Sequence, residues 1–147
     1  MISKQLSGLP MIYKTPSGAW KGHDIADDVD DLNQTLFARF PELARPYASL
    51  RDVWQHKEPG PHIVYGDVLT PHIIQLLESR SSDSSLQAIF EYLEELLSQR
   101  DQSIKDVVGA SVLERLNDKV AWRRRARAFM GPHALQLSKQ LQDAWGS

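Results

Sequence analysis

The chain reads as an all-α domain, and three observations predict it. From Asp24 onward, apolar residues recur at three- and four-residue spacing. Prolines and glycines fall largely between these stretches, where helices begin and end. Short polar segments such as Ser81–Ser84 and Asp101 offer the side chains that cap helix N-termini.

Residues 1–22 stand apart. Met11–Lys14 and Ala19–Lys21 flank Thr15-Pro16-Ser17-Gly18, whose Pro and Gly suit a type I turn. A non-helical N-terminal arm or small hairpin is expected there, followed by one helical domain over 23–147. The first helix carries Val29, Leu32, Leu36, Phe37 and Phe40 on one face, and Asp24, Asp27, Asp28, Asp30 and Asp31 load its start, where the macrodipole favours negative charge. Pro41 ends it. A shorter helix over Glu42–Gln55 turns Leu43, Tyr47, Leu50 and Trp54 inward. Glu58-Pro59-Gly60-Pro61 then breaks the chain. Ile63–Glu78 reads as a buried helix with Pro71 as a kink or restart, and Thr70 as the cap of the restarted piece.

The clearest helix runs from the Ser81–Ser84 loop to about Gln99. Leu86, Ile89, Phe90, Leu93, Leu96 and Leu97 form its buried stripe, with Gln87, Glu91, Glu94 and Glu95 outside it. Asp101 caps the next helix, whose stripe is Ile104, Val107, Val108, Val112, Leu113 and Leu116. Asn117-Asp118 ends that helix and opens another, through Phe129-Met130. Gly131 is placed as a helix C′ residue, and Pro132 as the first residue of a last helix bearing Leu137, Leu141 and Trp145. These pieces suit an irregular bundle or a HEAT-like stack of short antiparallel helices. No repeat signature recurs.

Composition narrows the function. The chain of 147 residues has no cysteine, which excludes disulfides and thiolate metal sites and fits a reducing cytoplasm. The N-terminus lacks the apolar region of a signal peptide, and no apolar run approaches the roughly 20 residues that span a bilayer, so a cytoplasmic protein without membrane contact is expected. Net charge is only −2, but it is unevenly spread: +3 over residues 1–22, −9 over 23–110 and +4 over 111–147. Such polarity favours a charged partner unless the parts neutralise one another.

No reaction centre follows from the motifs. His62, Asp67 and His72 are metal-capable, but Asp67 and His72 lie about 140° apart on a helix, so they do not converge. The better use of Asp67 or His62 is in bonding backbone groups freed by the Pro-Gly-Pro break, with Gly66 admitting a close neighbour. The five histidines are scattered, the serines sit mostly in caps and loops, and no G-x-S-x-G elbow occurs, so neither catalytic nor metal residues nor a cofactor are expected. Trp122-Arg123-Arg124-Arg125-Ala126-Arg127 is the only basic cluster, beside a strongly acidic body, which argues for intramolecular pairing or anion contact rather than nucleic acid binding.

Phe40-Pro41-Glu42-Leu43, the block Glu58-Pro59-Gly60-Pro61-His62-Ile63-Val64-Tyr65-Gly66-Asp67-Val68-Leu69, Met130-Gly131-Pro132 and Trp145-Gly146 together resemble an uncharacterised bacterial all-helical domain family. Members of that family are found among the immunity proteins of contact-dependent and type VI secretion toxin systems. The resemblance covers roughly residues 27–146 and brings no catalytic residues with it. It implies a protein that neutralises a cognate toxin by stoichiometric occlusion. An acidic face would suit a toxin with a basic surface. Asp24, Asp27, Asp28, Asp30 and Asp31, with Glu91, Glu94 and Glu95 on the exposed side of the best helix, are the candidate partner-binding residues, and an exposed Tyr92 or Trp20 the aromatic anchor. The alternative is a helical adaptor or scaffold for another protein partner. The sequence leaves the oligomeric state open.

Overall fold

The structure, a computed structural model, describes residues 29–55, 58–80 and 82–144. The expected arm over 1–22, with Trp20, lies outside the described residues, as do Asp24, Asp27, Asp28 and Trp145. Among the described residues there are helices and turns and no strand. None of these helices is long and apolar enough to cross a membrane.

A 3₁₀ turn at Val29–Asp31 leads into α1 (Leu32–Arg39). Leu32, Leu36 and Phe40 are buried, so the expected face is the one that packs. Pro41 occupies the first position of a second 3₁₀ turn, Pro41–Leu43, which bends the chain into α2 (Ala44–Val53). Proline suits that position because its missing N–H has no helical acceptor there. Leu43 is buried, and Tyr47 and Leu50 pack at the core's edge, Tyr47 against Phe37 with ring centroids 4.4 Å apart. Trp54 does not face in as expected. It lies past the last turn of α2 and is 39% exposed.

The Glu58–Leu69 block forms the joint of the fold. Gly60 precedes α3 (Pro61–Val64), and its carbonyl accepts the first helical bonds, from the Ile63 and Val64 amides. The chain then widens into a π turn at Tyr65–Leu69 and returns to α geometry in α4 (Thr70–Leu77). Where a kink or restart was expected, α geometry resumes after the wider turn with Pro71 in the first turn of α4. The Thr70 amide bonds the Tyr65 carbonyl five residues back, in π register. In that register the Gly66 carbonyl would next accept from residue 71, which is proline and has no N–H. Arg115 replaces it, its Nη1 donating to the Gly66 carbonyl at 2.5 Å. Thr70 caps no amide either; its hydroxyl donates to the carbonyls of Tyr65 (2.9 Å) and Ser111 (2.8 Å).

A buried central helix follows, α5 (Asp83–Leu97). Its six predicted stripe residues are buried as a continuous face. Asp101 caps α6 (Gln102–Val108), its Oδ1 accepting from the Ser103 amide at 2.8 Å and the Ile104 amide at 3.3 Å. Replacing Asp101 with Ala removes that acceptor and is expected to cost about 1 kcal/mol. A urea midpoint identical to wild type would show that the cap contributes nothing.

α6 widens into a second π turn, Gly109–Leu113, before α7 (Glu114–Leu116). The two π turns pack together. Besides the Thr70 bond to the Ser111 carbonyl, His62 Nδ1 lies 3.1 Å from Ser111 Oγ. Gly109 faces α9, where an added Cβ would meet Leu137 at 3.4 Å.

The Asn117 region separates α7 from α8 (Val120–Arg127), and α9 (Pro132–Ala144) closes the bundle against α5 and the second π turn. One contiguous apolar core joins all of these elements. Most of the basic cluster on α8 is spent on this packing. Arg125 donates to the Leu77 and Ser79 carbonyls at 2.7 and 2.5 Å and to Asp83 Oδ1 at 2.7 Å, so it ties the end of α4 to the start of α5. Arg127 donates to Ser138 and Gln142 on α9.

Candidate acidic groove on the central helix

The polar side of α5 lies beside the turn between α8 and α9. There the chain leaves a groove of about 480 Å³. Its floor is apolar: Phe129, Met130 and Ala128 form the surface, and the fully buried Phe90 lies beneath, stacked on Phe129 with centroids 6.5 Å apart. Its rim is Gln87, Glu91, Glu94 and Glu95, at i, i+4, i+7 and i+8 of one helix, and so on one face. The volume falls in the range of about 300–1,000 Å³ typical of ligand-binding clefts.

The three glutamates differ in how free they are. Glu94 is bound within the fold. Its Oε1 accepts from the Ala134 amide at 2.9 Å. Its Oε2 accepts from the His133 amide at 2.9 Å, and His133 Nδ1 donates to the same oxygen at 2.6 Å. Glu94 thus caps the N-terminus of α9 from another helix, which places a negative charge at the positive end of the macrodipole. Gly131 makes room for it, since a Cβ there would sit 2.6 Å from Glu94 Cδ. Gly131 is therefore not the C′ residue of the preceding helix, which ends at Arg127; it precedes Pro132 and its carbonyl accepts the first turn of α9. Glu95 pairs with Arg39 of α1 through contacts of 2.8 and 3.3 Å. Glu91 is exposed and accepts from the neutral amide of Gln87 at 2.8 Å.

Burial by itself raises the pKa of the Glu94 carboxyl. The two amide bonds and the His133 contact outweigh it and hold the group below the usual carboxylate range. A depressed folded pKa contributes stability that is present above the unfolded value, about 4.3, and is lost as pH falls through the folded pKa. Glu94→Gln is therefore expected to be less stable than wild type at neutral pH, with the difference shrinking at more acidic pH. Urea unfolding across pH 7 to about 3 checks this; a difference independent of pH would refute it.

Tyr92 is not the exposed anchor that was expected. It is fully buried on the other side of α5, where its hydroxyl lies 2.8 Å from that of Tyr65. Burial raises the pKa of both phenols. The Arg39 guanidinium lies over the Tyr92 ring, 5.2 Å from its centroid, so the buried ring supports the cation that holds Glu95. Asp30 and Asp31 are exposed in the turn before α1 and do not line the groove. Of the nine predicted partner-binding residues, the structure gathers Glu91, Glu94 and Glu95 at one groove. Phe129 and Met130 line the groove, and Arg39 and His133 hold Glu95 and Glu94 from outside it; none of the four was predicted. Their signal was weak: Phe129 and Met130 read as the end of a helix and His133 as one of several scattered histidines, while nothing in the sequence singles out Arg39.

A second, smaller groove of about 230 Å³ lies on the other side of His133, between Lys105 and Leu97 and the α9 residues Gln136 and Leu137. Among the described residues, no three His, Asp or Glu side chains are placed to hold an ion. Asp67 meets Arg115 at 3.4 Å, and His62 meets Ser111.

No curated protein and no solved structure matches this sequence. A family described as a domain of unknown function, DUF7674, matches residues 33–146, which span α1 through α9 and include the Glu58–Leu69 joint and the acidic groove. The chain belongs to that family.

Proposed function

We propose that this chain is a non-catalytic binding protein of the immunity type, which neutralises a cognate secreted antibacterial toxin by stoichiometric occlusion. The observation that supports it is the groove on α5: an apolar floor of Phe129 and Met130 under an acidic rim. A binding surface needs an apolar centre that excludes water and a polar edge that sets orientation, and this groove has both. The toxin reading adds the sequence resemblance, in which such domains accompany secreted effectors. An acidic edge raises the association rate with a basic partner, as is common for toxins that act on nucleic acid.

The decisive experiment is rescue. Co-expression with its cognate toxin is expected to restore growth and to yield a one-to-one complex on size-exclusion chromatography. Continued killing while this chain is abundant and folded would end the proposal.

A further inference from the structure

We infer that the α5 groove receives a basic–apolar pair from the partner: a Leu, Phe or Met side chain on the Phe129–Met130 floor, with a neighbouring Lys or Arg against Glu91. This deepens the partner-binding reading above and rests on it. The charge bookkeeping selects the pair. Glu94 is engaged by the α9 N-terminus and His133, and Glu95 by Arg39. Glu91 accepts from the neutral amide of Gln87. The C-terminal end of α8 runs into the same groove through Ala128, Phe129 and Met130, and brings the negative end of its macrodipole. Among the described residues, no Lys or Arg lines the groove. The site therefore offers one strong position for a cation next to one apolar cleft. Met130 adds a side chain able to reshape around different apolar groups.

The committed Glu94 and Glu95 have their own part. Held by bonds to α9 and α1, they form a fixed wall, so the groove keeps its shape without a partner. A pre-formed groove loses little side-chain freedom on binding, which favours a compact anchor over a large flat contact.

The test uses the full chain, isotopically labelled for NMR, and three short amphipathic helical peptides. The first carries Leu and Lys one turn apart, the second replaces Lys with Glu, and the third replaces Leu with Ala. The Leu/Lys peptide is expected to shift amide signals of residues 87–95 and 128–131, with affinity that falls as salt rises. Loss of either member of the pair is expected to weaken binding roughly five- to tenfold. Glu91→Lys and Ala128→Arg, both at exposed positions, are expected to weaken it to a similar extent while the thermal midpoint stays near wild type. Equal binding of the Glu peptide, shifts confined to other faces, or no shifts at about 1 mM peptide would overturn the inference. The two readings can fail separately. If the chain rescues cells from the toxin and both groove variants rescue equally well, the anchor is wrong and the binding reading stands. If the wild-type chain fails to rescue, the binding reading itself fails.

Discussion

Arg115→Leu is expected to destabilise the domain by about 1–3 kcal/mol, although Arg115 is half exposed and its ion pair with Asp67 is long. The loss comes from a carbonyl, not from the ion pair. Thr70 donates its amide to Tyr65, and Pro71 has no amide to give, so the buried Gly66 carbonyl depends on the guanidinium. A buried acceptor without a donor carries its full desolvation cost, while an exposed ion pair at 3.4 Å contributes little. The two explanations separate in a second background. Pro71→Ala restores an N–H at the position where π register would pair it with Gly66. Arg115→Leu should then cost clearly less in Pro71→Ala than in wild type, while Asp67→Asn should cost little in either. Urea denaturation of the four proteins of the Arg115/Pro71 cycle gives the coupling directly. Equal costs in both backgrounds would show that Arg115 does not stand in for the missing donor. Gly66 belongs to the same device. A Cβ there would lie 3.2–3.4 Å from the guanidinium atoms, so the glycine admits the substitute donor.

This joint shows which parts of the molecule were legible in the sequence. The buried stripes of α5 and α6 were, because apolar spacing is a local property that the core merely accepts. The Asp101 cap was, because donor and acceptor lie within three residues of each other. That Gly66 would admit a close neighbour was also readable. What arrives there was not, since Arg115 lies 49 residues away and a lone arginine carries no mark of its acceptor. Likewise Pro71 announces a disturbance of the helix without saying whether it becomes a kink, a restart or a wider turn. The groove divides in the same way. Glu91, Glu94 and Glu95 fall on one face by helical spacing alone. Tyr92 sits between them in sequence and looks equally available, yet it lies toward Phe40 and Tyr65, its ring edge-on to Phe40 with centroids 5.5 Å apart. The floor of the groove comes from a turn nearly 40 residues away, which periodicity does not reach.

Tyr65→Phe is expected to cost about 1–3 kcal/mol, and more than Tyr92→Phe. The asymmetry follows from how the two buried phenols share their protons. Tyr65 donates to the Leu32 carbonyl at 2.8 Å, so its hydroxyl hydrogen is used, and the 2.8 Å contact between the rings must be donated by Tyr92. Removing the Tyr65 oxygen leaves the Tyr92 hydroxyl buried without an acceptor. Removing the Tyr92 oxygen takes away a donor, while Tyr65 keeps its bond to Leu32. Removing both leaves no stranded hydroxyl. The double variant should therefore be more stable than the sum of the single losses implies. Thermal or urea unfolding of the four proteins measures this, and strictly additive losses would show that the two hydroxyls act independently. The same cycle bears on the groove. Phenylalanine at position 92 keeps the ring under Arg39, so Arg39 should go on holding Glu95, and peptide binding at the groove should be unchanged in Tyr92→Phe. Tyr92→Leu removes the ring face and should loosen that wall. Weakened binding in Tyr92→Leu but not in Tyr92→Phe would trace the groove's shape to the buried ring; equal binding in both would place its support elsewhere.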